Sequence, residues 1–170
     1  MFEDSELRVP CDRLSAAGHV AIVVGAVQSE KLHGRLRKQK VITQLAVENA
    51  SADDFDAVVI PGGYSPDRLR TNPRMVELVR DFIRAGKPVA AIGHAVALLV
   101  EADVVDGRTV TSWPSIVADL RNAGARWIDR DVVVDGTLIT ARSPEDLSAF
   151  CDVLLHQLAR GVAAPAEMLH

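Results

Sequence analysis

A short apolar strand that turns abruptly into a helix constrains this chain more than any other stretch. Residues 88–99 read P-V-A-A-I-G-H-A-V-A-L-L. The run from Val89 to Ile92 is too brief for a helix and follows G-K-P, so it reads as a buried parallel strand. The Ala/Leu/Val-rich run after His94 reads as a helix. A strand that turns sharply into a helix is the geometry of a nucleophile elbow, where one residue is held in strained backbone angles at the mouth of a sheet. That residue here is Gly93, which has no side chain with which to attack anything.

Around this stretch strands and helices alternate. Residues 7–14 read as a helix that stops near Ala17-Gly18, and residues 19–27 (H-V-A-I-V-V-G-A-V) as a buried strand. Residues 31–40 carry five basic side chains around Gly34 and lead into a strand-like run, 41–47. This reads as an edge hairpin blunted by charge. Its rival is a nucleic-acid patch, which lacks the aromatic residues that such patches interleave. Next come a strand over 55–60, a tight loop Pro61-Gly62-Gly63-Tyr64, a helical start with Ser65 as N-cap, and an amphipathic helix over 72–85 that stops at Gly86. Beyond the elbow the pattern predicts a strand over 108–112, a helix over 114–123 and a hairpin over 132–140 turning at Asp135-Gly136. Ser143-Pro144-Glu145 then caps a last helix ending near Arg160. Residues 1–160 make one domain, and the Ala/Pro-rich tail, 161–170, is expected to fray.

This alternation means an α/β sandwich around a largely parallel sheet. At 170 residues a single core can bury roughly 70% of the unfolded surface. A net charge of −4, with both signs spread along the chain, argues against nucleic-acid or membrane-surface binding. Cys11 and Cys151 are far apart and outside any C-x-x-C, so a reduced, cytoplasmic setting is expected. No apolar run is long enough for a membrane span. No G-x-G-x-x-G, G-K-[ST] or H-E-x-x-H is present and the five histidines are scattered, so neither a cofactor nor a metal is expected.

Sites in such sheets lie beyond the carboxyl ends of the strands. Two ends stand out, Gly62-Gly63 and Gly93-His94, whose backbone N–H groups could converge into an anion or oxyanion cradle. The plainer alternative is that these glycines only permit turns.

Five segments together carry a resemblance: F-D-A-V-V-I-P-G-G-Y-S-P-D-R-L-R-T-N-P, G-K-P-V-A-A-I-G-H-A, G-R-T-V-T-S-W-P-S-I, N-A-G-A-R-W-I-D and V-V-V-D-G-T-L-I-T-A-R-S-P-E-D-L. From Phe2 to about Leu158 the chain resembles the PfpI family of intracellular proteases. That family lies in the class I glutamine amidotransferase-like superfamily, beside the parkinsonism-associated protein and its glyoxalase and deglycase relatives. The resemblance implies a flavodoxin-like three-layer sandwich. It also places the reactive cysteine of A-I-C-H-G-like motifs at Gly93, followed by a retained histidine at His94. It assigns Asp67 as the acid that orients that histidine, reaching it from a neighbouring subunit, and Glu6 as the carboxyl that holds a proton for the cysteine. Gly63 and His94 would give oxyanion N–H groups. Ala95 and Val96 stand where Gly-Pro is usual, and Trp113 where many members have tyrosine.

Each of these residues has a structural alternative. Asp67 in a first helical turn interacts favourably with the helix dipole. His94 could simply pack at a helix start, and Glu6 could be solvated. The two cysteines fit buried small hydrophobes, neither following a strand. Glycine adopts elbow angles without penalty, so it suits a position where attack has been abandoned.

Three functions follow. One is a non-catalytic or redirected, homo-oligomeric, stress-type protein that binds a small carbonyl or carboxylate in the vestigial pocket. Another is a hydrolase, glyoxalase or deglycase-like enzyme whose His94, Asp67 and Glu6 activate water. The third is a pure interaction protein. Because the resemblance puts a central strand before the F-E-D loop, the sheet is expected to lack its first strand, with the gene starting upstream or the chain being a poorly soluble truncated product.

Overall fold

The computed structural model describes residues 1–162. In chain order it runs α1 (Asp4–Ala16), β1 (Val24–Gly25), β2 (Lys31–His33), β3 (Lys40–Ile42), β4 (Leu45–Ala46), β5 (Val58–Ile60), α2 (Ser65–Leu69), α3 (Pro73–Arg84), β6 (Val89–Ile92), α4 (Val96–Glu101), β7 (Thr109–Val110), α5 (Val117–Asn122), β8 (Arg126–Trp127), β9 (Val132–Asp135), β10 (Leu138–Ala141) and α6 (Leu147–Val162). The expected tail lies, from Ala163 on, outside the described residues.

The central sheet has the order β5-β6-β10-β9. β6 pairs in parallel with β5 and with β10, while β9 closes the edge antiparallel through the Asp135-Gly136 turn. β6 is buried on both faces, as the strand of a covered parallel sheet must be. Its side chains alternate. Val89 and Ala91 enter a core shared with α3, α4 and α5, and Ala90 and Ile92 enter a second core under α6. α1 packs on α6 over that second core. The result is the flavodoxin-like three-layer α/β sandwich.

Local chemistry explains the element ends. Asn72 caps α3 by accepting from the N–H groups of Arg74 (2.9 Å) and Met75 (3.4 Å), and Gly86 ends it at φ 66°. The expected cap at Ser65 differs: Ser65 is the first residue of α2, Tyr64 precedes it, and the Ser65 hydroxyl donates to the Gly62 carbonyl (3.2 Å).

Three further expectations are revised. The buried strand over 19–27 reduces to β1, which among the described residues pairs only with β4, in a sheet separate from the central one. Val20 lies before β1 and is 84% exposed. The strand over 41–47 breaks in two at Thr43. Its buried hydroxyl donates to the Val27 carbonyl (2.5 Å) and accepts from the Glu30 N–H (2.8 Å), turning the chain from the β2–β3 hairpin into β4. α1 begins at Asp4, three residues earlier than the periodicity predicts at Leu7, because the Asp4 carboxylate is buried and accepts from Leu36 (2.8 Å) and Gln39 (2.7 Å) N–H groups. Burial works to raise the Asp4 carboxyl, but those backbone donors outweigh it and hold it below its ordinary range.

Candidate functional site

β6 delivers Gly93 to the carboxyl end of the sheet and stops there. Residues Gly93–Ala95 form a single 3-10 turn that runs into α4, and Gly93 sits at φ 64°. That is the left-handed region, which side-chain-bearing residues enter at a cost of about 1–2 kcal/mol. A Cβ built on Gly93 would stand 3.1 Å from Glu6 Oε1 and 3.5 Å from the Arg142 carbonyl. The elbow therefore keeps a backbone conformation that would strain any residue but glycine, and a side chain there would press closely on the Glu6 carboxyl.

Glu6 reaches this point from the first turns of α1. It is 3% exposed, and its Oε2 accepts the Gly62 N–H at 2.7 Å. Burial pushes its carboxyl up to about 7, and the negative Glu3 adds to this. The Gly62 N–H and the Arg35 guanidinium pull the other way without prevailing. Arg35 is itself ion-paired with Glu3. With Oε2 engaged by a donor, Oε1 is left to carry the proton, on the side that faces Gly93.

Gly62 leaves no room for a larger residue. A Cβ there would meet Glu6 Oε2 at 2.6 Å, the Ile92 carbonyl at 2.9 Å and the His94 nitrogen at 3.1 Å. The two glycine-bearing strand ends thus converge, as expected. One part of the expected cradle changes, since the Gly62 N–H is occupied by Glu6. The His94 N–H lies in the first turn of the helical segment, where amides lack intrahelical partners. Gly63, at φ 83°, is bridged to Phe2, and the Glu3 N–H donates to the Gly62 carbonyl at 3.1 Å. The chain start thereby braces the loop after β5.

His94 and Asp67 also meet, with Nε2 to Oδ1 at 3.3 Å. The resemblance implies that this acid comes from a neighbouring subunit. In this structure α2 supplies it within the same chain, because α2 packs directly against the turn after β6 and against α4. The pair is partly solvated, with the His94 side chain 28% and the Asp67 side chain 58% exposed. Trp113 is tied to the elbow through its backbone N–H, which donates to the Gly93 carbonyl at 3.3 Å, while its ring is half exposed. Cys11 and Cys151 lie in α1 and α6, away from any strand end, and burial raises both thiols. Among the described residues no group of three or more His, Cys, Asp and Glu side chains is placed to hold a metal ion, and no helix is long and apolar enough to cross a membrane.

Three contributors escaped the sequence reading. Glu3 and Arg35 set the charge around Glu6, and the Arg142 carbonyl closes the elbow from the end of β10. Arg142 follows the strand next to β6, so the rule that sites collect at carboxyl ends of adjacent strands would have flagged it.

Comparison with known proteins identifies the scaffold that carries these residues. The family model described as the DJ-1/PfpI family matches residues 1–157. The chain is 42% identical over 150 residues to protein/nucleic acid deglycase 2 of Escherichia coli, covering 88% of this chain and 87% of that protein. It is 41% identical over 149 residues to deglycase PfpI of Pyrococcus furiosus, covering 88% and 89%. Among solved structures, it matches a two-domain protein of Anabaena variabilis with DJ-1/ThiJ/PfpI-like and ferritin-like domains. There the TM-score is 0.92 at 40% identity, covering 98% of this chain and 48% of that one. Drosophila melanogaster DJ-1beta gives a TM-score of 0.84 at 26% identity, covering 97% and 94%. A brace from the chain start, a strained turn after β6 and a buried carboxyl beneath it are thus set in a scaffold shared along nearly its whole length, and the chain belongs to the DJ-1/PfpI family.

Proposed function

We propose that the chain holds a small carbonyl or carboxylate compound in the elbow pocket without covalent attack, as a cytoplasmic, homo-oligomeric, stress-type member of its family. The observation that carries this reading is the meeting of Gly93 and Glu6. A backbone in the elbow conformation faces a carboxyl 3.1 Å from where a Cβ would stand. With its carboxyl near 7, Glu6 is about half protonated at neutral pH, and its acid form donates from Oε1 to a ligand oxygen. The His94 N–H supplies a second donor. Thiolate chemistry needs a sulfur at this spot, and both cysteines lie elsewhere, with thiols that burial makes harder to ionise.

A second reading is favoured by a specific distance. His94 and Asp67 at 3.3 Å, together with a carboxyl that titrates near neutrality, make a plausible acid–base set for activating water on a small carbonyl. It would give hydrolase, glyoxalase or deglycase-like turnover, in keeping with the names of the relatives.

Titration with pyruvate and methylglyoxal, followed by amide NMR and in parallel by lactate formation, separates the two. Binding without attack gives saturable shifts at Gly62, Gly93 and His94 and no product. Lactate formation that Glu6→Gln abolishes moves the assignment to the second reading, and neither shifts nor product removes both. Light scattering at micromolar concentration tests assembly; a monomer contradicts the oligomer. The His94–Asp67 contact forms within one chain, so it does not itself require one.

A further inference from the structure

The β2–β3 hairpin is a basic patch on an acidic chain. Residues 31–47 hold five Lys and Arg side chains and no Asp or Glu, although the chain as a whole carries −4. Pairing of Lys31 with Ile42, Leu32 with Val41 and His33 with Lys40 gives the hairpin two faces. Leu32 and Val41 turn inward and are half-buried, while Lys31, His33, Lys40 and Ile42 point outward and are exposed. At the tip, Leu36 is 51% exposed between Arg35 and Arg37. Arg35 is held by Glu3. Among the described residues, Lys31, Arg37, Lys38 and Lys40 form no ion pair. The tip is nevertheless fixed. The Asp4 carboxylate accepts the Leu36 and Gln39 N–H groups, the Arg35 N–H donates to the Phe2 carbonyl at 2.8 Å, and the Arg37 N–H donates to the Gly34 carbonyl at 3.0 Å.

We propose that this hairpin docks the protein on the surface of an anionic lipid bilayer, with Leu36 entering the headgroup layer and Lys31, Arg37, Lys38 and Lys40 facing lipid phosphates and carboxylates. Two features select this occupant. Four cations without ion-pair partners call for a negative surface, toward which each basic residue tightens binding roughly five-fold. An exposed leucine among them calls for an apolar layer beneath that charge. Single-stranded nucleic acid is recognised by aromatic side chains on which its bases stack, and residues 31–47 contain no Phe, Tyr or Trp. Charge that only keeps a sheet edge from pairing needs no exposed leucine beside it. Because the tip is fixed before contact, docking carries little ordering cost. The net charge of −4 is an average over a surface from which this hairpin departs.

Co-sedimentation of the 170-residue chain with vesicles is the test. At about 0.1 M salt the chain should pellet with phosphatidylcholine vesicles containing about a third phosphatidylserine and stay in solution with phosphatidylcholine alone. Arg37→Gln combined with Lys38→Gln should weaken binding by about twenty-fold, and Leu36→Ser by about five-fold or more, in variants that melt as the parent does. Four results overturn the proposal. No binding to the charged vesicles means that the hairpin does not engage lipid, and equal binding to phosphatidylcholine alone means apolar adsorption without charge recognition. Undiminished binding by Leu36→Ser means a general polyanion patch, which a single-stranded oligonucleotide would occupy equally. A dimer that the double variant dissociates, with no vesicle binding, makes the occupant a second copy.

Discussion

Residues 89–92 and residues 20–24 are similar apolar runs, V-A-A-I and V-A-I-V-V, with opposite fates. Every residue of the first is buried, whereas Val20 is 84% and Ile22 38% exposed. The difference lies in what stands beside them. β6 has β5 on one edge and β10 on the other, while among the described residues β1 has β4 alone. Apolar composition makes a segment fit to be a central strand, but a second neighbour decides whether it becomes one. The functional geometry follows the same divide, since the elbow grows out of the strand that is paired on both sides.

The sharpest way to break this comparison is to truncate both runs. Ile92→Ala should cost about 2–5 kcal/mol, as deletions in a filled core do, and Val20→Ala should stay within about 0.5 kcal/mol, both by urea denaturation. Equal costs would mean that the β1 side is as closely packed as β6.

Glu6 gives the next largest effect. Its folded carboxyl titrates near 7 against an ordinary 4.5, so between those values the folded state binds more protons than the unfolded one. Stability then falls as pH rises through that window, by up to roughly 3 kcal/mol from this group. Glu6→Gln keeps an acceptor for the Gly62 N–H but cannot ionise. Between pH 5 and 8 its unfolding free energy should lack that slope, and parallel curves for the two proteins would contradict a perturbed Glu6.

Two glycines in the same backbone region separate strain from contact. Gly86, at φ 66°, has nothing within 4 Å of a built Cβ, whereas Gly93, at φ 64°, has Glu6 Oε1 at 3.1 Å. Gly86→Ala should cost about 1–2 kcal/mol from backbone strain alone. Gly93→Ala should cost that much or slightly more, and should also move the Glu6 titration, which Gly86→Ala should leave alone. On the β1 side, Thr43→Val leaves the Glu30 N–H and the Val27 carbonyl without the hydroxyl and should cost about 1–3 kcal/mol.

What the sequence disclosed was local. The G-K-P start and short apolar run gave β6, the Asp135-Gly136 turn gave the β9–β10 hairpin, and the apolar periodicity with Asn72 and Gly86 gave α3 nearly to the residue. The resemblance pointed to Glu6, Asp67 and His94, and the fold sets all three around the turn after β6. What stayed hidden was tertiary. The sequence of residues 19–27 does not say how many neighbours its strand has. Nothing in residues 65–69 says that Asp67 will reach His94 within one chain. The letters F-E-D-S-E do not distinguish a solvated carboxylate from one buried to 3% exposure. Thr43 looked like an interior strand residue because its hydroxyl partners, Val27 and Glu30, come from a loop on the far side of the hairpin.

The central claim is that the elbow retains the geometry of an attacking site while Gly93 supplies no attacker, and restoring a thiol tests it directly. In Gly93→Cys the sulfur would sit at the first turn of the helical segment, next to the His94 N–H, where cysteine pKa values fall from about 8.5 to as low as roughly 3.5–7.5. Ionised Glu6 opposes this, and protonated Glu6 does not. At about pH 6, where Glu6 is mostly protonated and burial disfavours the thiolates of the partly buried Cys11 and the buried Cys151, iodoacetamide mapped by mass spectrometry should modify position 93 well before either native cysteine. A folded variant in which position 93 reacts no faster than Cys11 would contradict the claim.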